Sequence, residues 1–215
     1  MSTPVLIVIQ GRHHAGAEAA YARYMEGSAP LLERYRVGIE AVGPGVGVAA
    51  STETRPVNIV LSFPGAEHAD GFFLDPDYVH IKRAYRDRAY AEIALALFTP
   101  EGGVGERSPA ALSITQAEVA DAGAYRQLWA AVGPLAAEHG VSVWASGPGY
   151  GRSYTTDVWP VNALLAYPSE EAVRTFFADP RVAALASLRA RAYGRHRITA
   201  TKPRAPRVAH NVERS

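Results

Sequence analysis

The stretch Pro56-Val57-Asn58-Ile59-Val60-Leu61-Ser62-Phe63-Pro64 returns as Pro160-Val161-Asn162-Ala163-Leu164-Leu165-Ala166-Tyr167-Pro168, 104 residues later. Each copy is followed by the same kind of signal: Phe72-Phe73-Leu74-Asp75-Pro76 in the first, Phe176-Phe177-Ala178-Asp179-Pro180 in the second. Tyr21 pairs with Tyr125, Pro30 with Pro134, and Gly43-Pro44-Gly45 with Gly147-Pro148-Gly149 at that same spacing of 104. Self-similarity sustained over this length indicates two copies of one fold. Matched positions then report the fold, and mismatched positions are where function is sought.

Within the first copy, Val5–Gln10 and Val57–Phe63 are short β-branched runs and predict strands. Val37–Val42 predicts another, ended by Gly43-Pro44-Gly45, and residues 46–55 predict a loop. Apolar and aromatic residues at Ala20, Tyr21, Tyr24, Leu31, Leu32 and Tyr35 keep helical spacing over Gly16–Tyr35, with Pro30 predicting a kink or break. Ala66–Phe73 predicts a short helix. Asp75-Pro76 predicts a further helix to about Tyr90, with Asp as N-cap and Pro in the first turn. Ile93–Thr99 closes the copy as a strand. The second copy predicts the same order: strands over Leu112–Ala117, Val141–Ser146, Pro160–Tyr167 and His196–Lys202, and helices over Ala122–His139, Glu170–Phe177 and Pro180–Tyr193. The order βαββαβ is a ferredoxin-like unit, an antiparallel sheet with helices on one face. Its other face is apolar here and needs a cover, which a second copy supplies. The predicted fold is α+β: two ferredoxin-like βαββαβ repeats fused into a pseudo-dimeric α+β barrel. The boundaries are 1–99 for the first repeat, 100–109 for a Gly/Pro/charge linker, 110–203 for the second repeat and 204–215 for a polar tail.

Composition narrows the function classes. Lys and Arg number 22 against 21 Asp and Glu, a formal net charge of +1. No strong field recruits nucleic acid or an anionic membrane. With no cysteine, disulfides, thiolate nucleophiles and Cys-based metal sites are excluded. The N-terminus lacks a signal-peptide pattern, and no run is long and apolar enough to span a membrane. A cytoplasmic protein is expected.

Tyr21-x-x-Tyr24, the strand ending Phe63-Pro64, the helix ending Phe72-Phe73, then Asp75-Pro76-Asp77-Tyr78 and Arg86 resemble the DUF1330 family of the dimeric α+β barrel superfamily. The resemblance spans residues 4–99 and, more weakly, 110–202. The second copy keeps Tyr125, Phe176, Asp179-Pro180 and Arg189 but has Leu128 for Tyr24 and Val182 for Tyr78. Relatives of this kind are single-domain and dimerise, so the resemblance implies a fused pseudo-dimer. Its superfamily includes cofactor-free monooxygenases, cyclases, isomerases, haem enzymes and stress-response proteins, and fold does not choose among them.

Strand alternation puts Asn58 and Asn162 on the inward face. Gln10 and Gln116 end the first strands. These four amides either bond across the pseudo-twofold interface or hold a ligand carbonyl. Arg86 and Arg189 recur in equivalent places on the second helix, and each either binds a carboxylate or pairs locally. Among the mismatches, Glu40 stands opposite Trp144, His80 opposite Ala184 and Met25 opposite Trp129, while His13-His14 has no counterpart. Glu40 is either an exposed edge residue or a general acid or base with a raised pKa. His13 and His14 are either exposed or a base. No metal is expected, since His13, His14 and Glu40 lack a spacing that demands one. His80 is the sole modest axial ligand for a haem. Tyr21, Tyr24, Trp129 and Trp144 are candidates to line a pocket for a planar ligand.

The resulting expectation is a cofactor-independent enzyme. It would cyclise or isomerise an apolar, polyketide-like metabolite by acid–base catalysis at Glu40, His13 and His14, with Asn58 and Asn162 at a developing oxyanion. The alternatives are a non-catalytic binding or stress-type barrel and a cofactor-free monooxygenase. The expected partner is a small apolar organic ligand, not nucleic acid or membrane, and the expected state is a monomeric pseudo-dimer or a homodimer.

Overall fold

A computed structural model describes residues 3–44, 55–105 and 109–201. The first repeat runs β1 (Val5–His13), α1 (Glu18–Arg34), β2 (Gly38–Pro44), β3 (Val57–Phe63), α2 (Ala66–Leu74), α3 (Pro76–Ile81), a π-turn (Lys82–Arg86), α4 (Asp87–Ala89) and β4 (Tyr90–Phe98). The second runs β5 (Ala111–Val119), α5 (Ala122–Glu138), β6 (Ser142–Gly147), β7 (Gly149–Tyr150), β8 (Val161–Tyr167), α6 (Glu170–Ala178), α7 (Pro180–Ala184), α8 (Ala186–Ala192) and β9 (Tyr193–Thr201). Residues 46–54 of the loop predicted over 46–55, residues 106–108 of the linker and the tail lie outside the described residues.

Both sheets are antiparallel, with strand orders β2-β3-β1-β4-β7 and β6-β8-β5-β9. Helices cover the outer face of each. Between the sheets, Leu6, Val8, Val60 and Phe98 of the first repeat meet Leu112, Ile114, Trp144 and Leu164 of the second in one buried cluster. The apolar inner faces therefore cover each other, and removing that area from water is what holds the two halves together.

Two crossings add to this. β7 leaves its own sheet and pairs with β4, Leu97 with Tyr150 and Phe98 with Gly149. In return the chain after β4 runs along the edge of β6, where Glu101 N donates to Ser146 O at 2.7 Å and Gly105 N to Trp144 O at 2.6 Å. Each crossing protects a strand edge that would otherwise stand open.

Several local expectations need correction. α1 runs unbroken through Pro30; packing on the sheet outweighs the one helical hydrogen bond that proline removes. The spacing of 104 is not uniform. Val5 of β1 corresponds to Ala111 of β5, because both pair with the last residue of the Pro-Val-Asn strand. The loop entering α1, which carries His14, is thus two residues longer than its partner before α5. The helix predicted to run from Asp75 to about Tyr90 is interrupted by the π-turn, a one-residue insertion. Tyr90 consequently corresponds to Tyr193.

The Asp-Pro signals act as predicted. Asp75 caps α3 through Asp77 N at 2.8 Å and Asp179 caps α7 through Arg181 N at 2.8 Å. Both carboxyls do more than cap. Tyr35 Oη donates to Asp75 at 2.7 Å, beside Arg34, and this hydroxyl is the main cause holding Asp75 below the usual carboxylate range. Asp179 is lowered chiefly by Arg181 and then by His139. A depressed folded pKa contributes stability above the unfolded value of about 3.9, and that contribution is lost as pH falls through the folded value. The melting temperature followed by circular dichroism is therefore expected to fall from about pH 4 downwards. Asp75→Asn with Asp179→Asn is expected to melt lower at pH 7 and to flatten the acid slope. An unchanged slope in the double variant would assign the acid sensitivity elsewhere.

Candidate active site

The two repeats fill the space between helices and sheet differently. In the first, Phe72, Phe73, Tyr78, Leu61 and Leu95 form a closed core with Tyr24 packed against it. Tyr24 and Tyr78 hydroxyls lie 3.4 Å apart. Arg86 Nη1 donates to Tyr78 Oη at 3.2 Å, while Nε and Nη2 reach Asp87 Oδ1 at 3.2 and 3.1 Å. Burial raises the Tyr24 phenol well above its ordinary value, with Tyr78 adding to it. It stays protonated, and Arg86, paired with Asp87, closes the cluster.

In the second repeat the corresponding residues are Leu128 for Tyr24, Val182 for Tyr78, Arg189 for Arg86 and Ala190 for Asp87. Both phenols and the carboxylate have gone. What remains is a cavity of about 60 Å³, lined by Leu128, Trp129, Phe176, Val182, Tyr193 and Arg189 among others. Arg189 is half-buried. A second space of about 250 Å³ lies on the other side of Trp129, between α5 and the β6–β8 edge, with Tyr125, Val143, Asn162 and Glu101 in its wall. Trp129 belongs to both linings, and its Nε1 is buried without a hydrogen-bond partner. Burial pushes the Tyr193 phenol well up, and the nearby Trp129 N–H opposes that rise.

The residues singled out from the sequence fall into separate places. Gln10 Nε2 donates to Asn58 Oδ1 at 2.7 Å, and Gln116 Nε2 to Asn162 Oδ1 at 3.1 Å, so each amide pair bonds within its own sheet. The remaining Asn58 and Asn162 amide hydrogens face Arg55 O and Trp159 O, both at 2.9 Å. Across the interface it is Arg197, not the second amide pair, that meets Gln10, Nη1 to Oε1 at 2.8 Å.

Glu40 and Trp144 are the extra residues of matching β-bulges on β2 and β6. A bulge re-aims one side chain. Glu40, half-buried, accepts from Ser62 Oγ at 2.5 Å, whereas Trp144 turns into the core between the sheets. His13 packs between Tyr21 and Tyr90, ring centroids 4.6 and 4.5 Å away, and burial lowers its pKa. His14 is exposed. Glu40, His13, His14, Tyr21, Tyr24 and Trp144 are absent from the described linings of both cavities; Trp129 is in both, and Asn162 in the outer one. Of the two arginines that recur in equivalent places, Arg86 is the locally paired one and Arg189 the one that lines a cavity. The signal was there in the exchange of Tyr78 for Val182 and of Asp87 for Ala190.

No protein-family model and no curated protein matches the chain. Solved structures do. An anthrone oxidase-like protein superposes with a TM-score of 0.57 over 95% of this chain and 92% of its own, at 10% identity. A haem-binding protein from Thermus thermophilus gives the same TM-score of 0.57, coverage of 95% and 92%, and identity of 10%. Both matches run through the two repeats together. The chain is a pseudo-dimeric α+β barrel. At such identities the likeness concerns the fold alone. Haem does not fit these cavities: neither has a histidine among its described lining residues, the inner one measures about 60 Å³, and His80 is exposed on α3. Among the described residues no three His, Asp or Glu side chains gather as a metal site, and no helix is long and apolar enough to cross a membrane.

Proposed function

We propose that this barrel binds a small, mostly apolar organic molecule in the second repeat, with the first repeat as its packed scaffold. One observation carries the reading: the exchange of Tyr24 and Tyr78 for Leu128 and Val182, which leaves apolar space where the first repeat has two phenols. The pocket of about 60 Å³ leaves apolar walls uncovered, and an apolar ligand that covers them removes that area from contact with water. The DUF1330 likeness, carried by Tyr21, Tyr24, Asp75-Pro76 and Arg86, is compatible with such a role.

Binding without catalysis is the better supported form. The described lining of the inner cavity holds no carboxylate or imidazole, and its raised Tyr193 phenol stays protonated at neutral pH. An enzyme acting on the same ligand is the second reading. It is favoured by Glu101, an exposed carboxyl in the wall of the outer space.

Leu128→Tyr with Val182→Tyr tests the proposal by restoring the first repeat's phenols. Fluorobenzene, observed by ¹⁹F NMR, is expected to bind the natural protein and to lose all detectable binding to the double variant. The melting temperature should stay within about 3 °C, since the first repeat accommodates the same pair beside its arginine. Equal binding to both proteins, or to neither, would reject the second-repeat cavity as the site.

A further inference from the structure

Arg86 and Arg189 occupy equivalent positions but live in opposite circumstances. Arg86 is held by Tyr78 and by Asp87, which also takes Lys82 Nζ at 3.2 Å. Arg189 has Val182 and Ala190 where those two partners would be, and its guanidinium makes no hydrogen bond or ion pair to a described residue. The cation nevertheless lines the apolar cavity and is half-buried. A guanidinium partly removed from water without a counter-charge is costly, and a carboxylate brought to it gains charge-assisted, bidentate hydrogen bonds. A neutral apolar ligand would leave that cost in place.

We propose that the second repeat recognises a small organic carboxylate whose charged group pairs with Arg189 and whose apolar body lies against Leu128, Val182 and Trp129. This rests on the binding role proposed above and names the class of ligand. Size adds a second element. An apolar cavity that admits benzene is about 150 Å³, and the inner one is about 60 Å³. A ring can be fully enclosed only if Trp129, which lines both spaces, gives way toward the larger one of about 250 Å³. Its Nε1 makes no hydrogen bond of good geometry, only a loose approach to the Tyr125 and Tyr193 hydroxyls, so the indole is weakly tethered.

The test is a ¹⁹F NMR titration of 4-fluorobenzoate and its neutral isostere 4-fluorobenzamide, with tryptophan fluorescence followed in parallel. The benzoate is expected to bind the natural protein at least tenfold more tightly than the benzamide. Arg189→Met should bring the benzoate down to the benzamide's affinity without changing the latter, and Arg189→Lys should retain part of the preference. Trp129→Phe should remove the fluorescence response. Equal affinities in the natural protein, or a preference that survives Arg189→Met, would overturn the carboxylate assignment and leave the cavity reading intact. Absence of binding by both probes and by fluorobenzene would overturn both. Circular dichroism of each variant separates these outcomes from a failure to fold.

Discussion

Gly147→Val is expected to destabilise the protein by about 3 kcal/mol or more, from overpacking together with lost backbone hydrogen bonds. At roughly 2–4 °C per kcal/mol for a chain of this size, the melting temperature should drop by about 10 °C. A Cβ on Gly147 would stand 2.1 Å from Thr99 O and 3.2 Å from Thr99 C, both of them backbone atoms. Neither can rotate away as a side chain would. Either β6 or the linker must move, and the bond from Glu101 N to Ser146 O lies directly in that path. Displacing the linker also uncovers the edge of β6. Gly133→Ala is the matched control. In α5 an added Cβ at Gly133 meets nothing within 4 Å beyond its chain neighbours; the helix-propensity gain is opposed by the following Pro134 ring, so the melting temperature should stay within about 3 °C. A Gly147→Val variant that melts like the natural protein would show that the linker does not lie on the bare strand.

The same glycine illustrates what the sequence could and could not reveal. Gly-Pro-Gly, present in both copies, reads as a turn that ends a strand. In the second copy it is a passage between sheets: Gly147 ends β6, Pro148 intervenes, and Gly149 opens β7 on the other sheet. Gly149 also needs its bare backbone, since a Cβ there would lie 2.6 Å from Trp159 O. The strands themselves were legible because alternation and β-branching are local properties, as at Val57–Phe63, where prediction and structure coincide. The π-turn was not legible, because a one-residue insertion in a helix leaves no local mark.

The candidate site was legible only in part, for a related reason. Glu40, His13 and His14 drew attention because chemically capable residues stood at unmatched positions. The structure places them at a bulge, between two tyrosines and in solvent. The exchanges that open a cavity, Tyr24 for Leu128 and Tyr78 for Val182, remove functional groups and so look like losses. Missing volume becomes visible only once α5, α7 and the sheet are packed together. Arg86 and Arg189 read alike in the sequence, and only their surroundings, Tyr78 and Asp87 against Val182 and Ala190, set them apart.

Arg197→Met is expected to cost about 3–5 kcal/mol, the range for removing one member of a buried charged network. Arg197 is 2% exposed and joins the two repeats: Nη1 donates to Gln10 Oε1 at 2.8 Å and Nη2 lies 3.6 Å from Asp157 Oδ2. Its guanidinium also sits 5.2 Å from the Trp159 ring centroid. Gln10 in turn donates to Asn58 at 2.7 Å and faces Thr199 Oγ1 at 3.4 Å, so its oxygen depends on the arginine for a charged donor. Methionine keeps the apolar stem but leaves Gln10 Oε1 without that donor and takes a cation from Asp157, which keeps Arg195 at 3.3 Å. The position has no symmetric equivalent, since Ala94 occupies it in the first repeat. Loss of Arg197 therefore weakens the junction on one side only. A double-mutant cycle with Gln10→Leu, read by urea denaturation, should return a coupling of about 1–2 kcal/mol. Additive effects would mean that the contact between the repeats at this point is incidental, and that the apolar sheet faces and the two edge crossings hold them together.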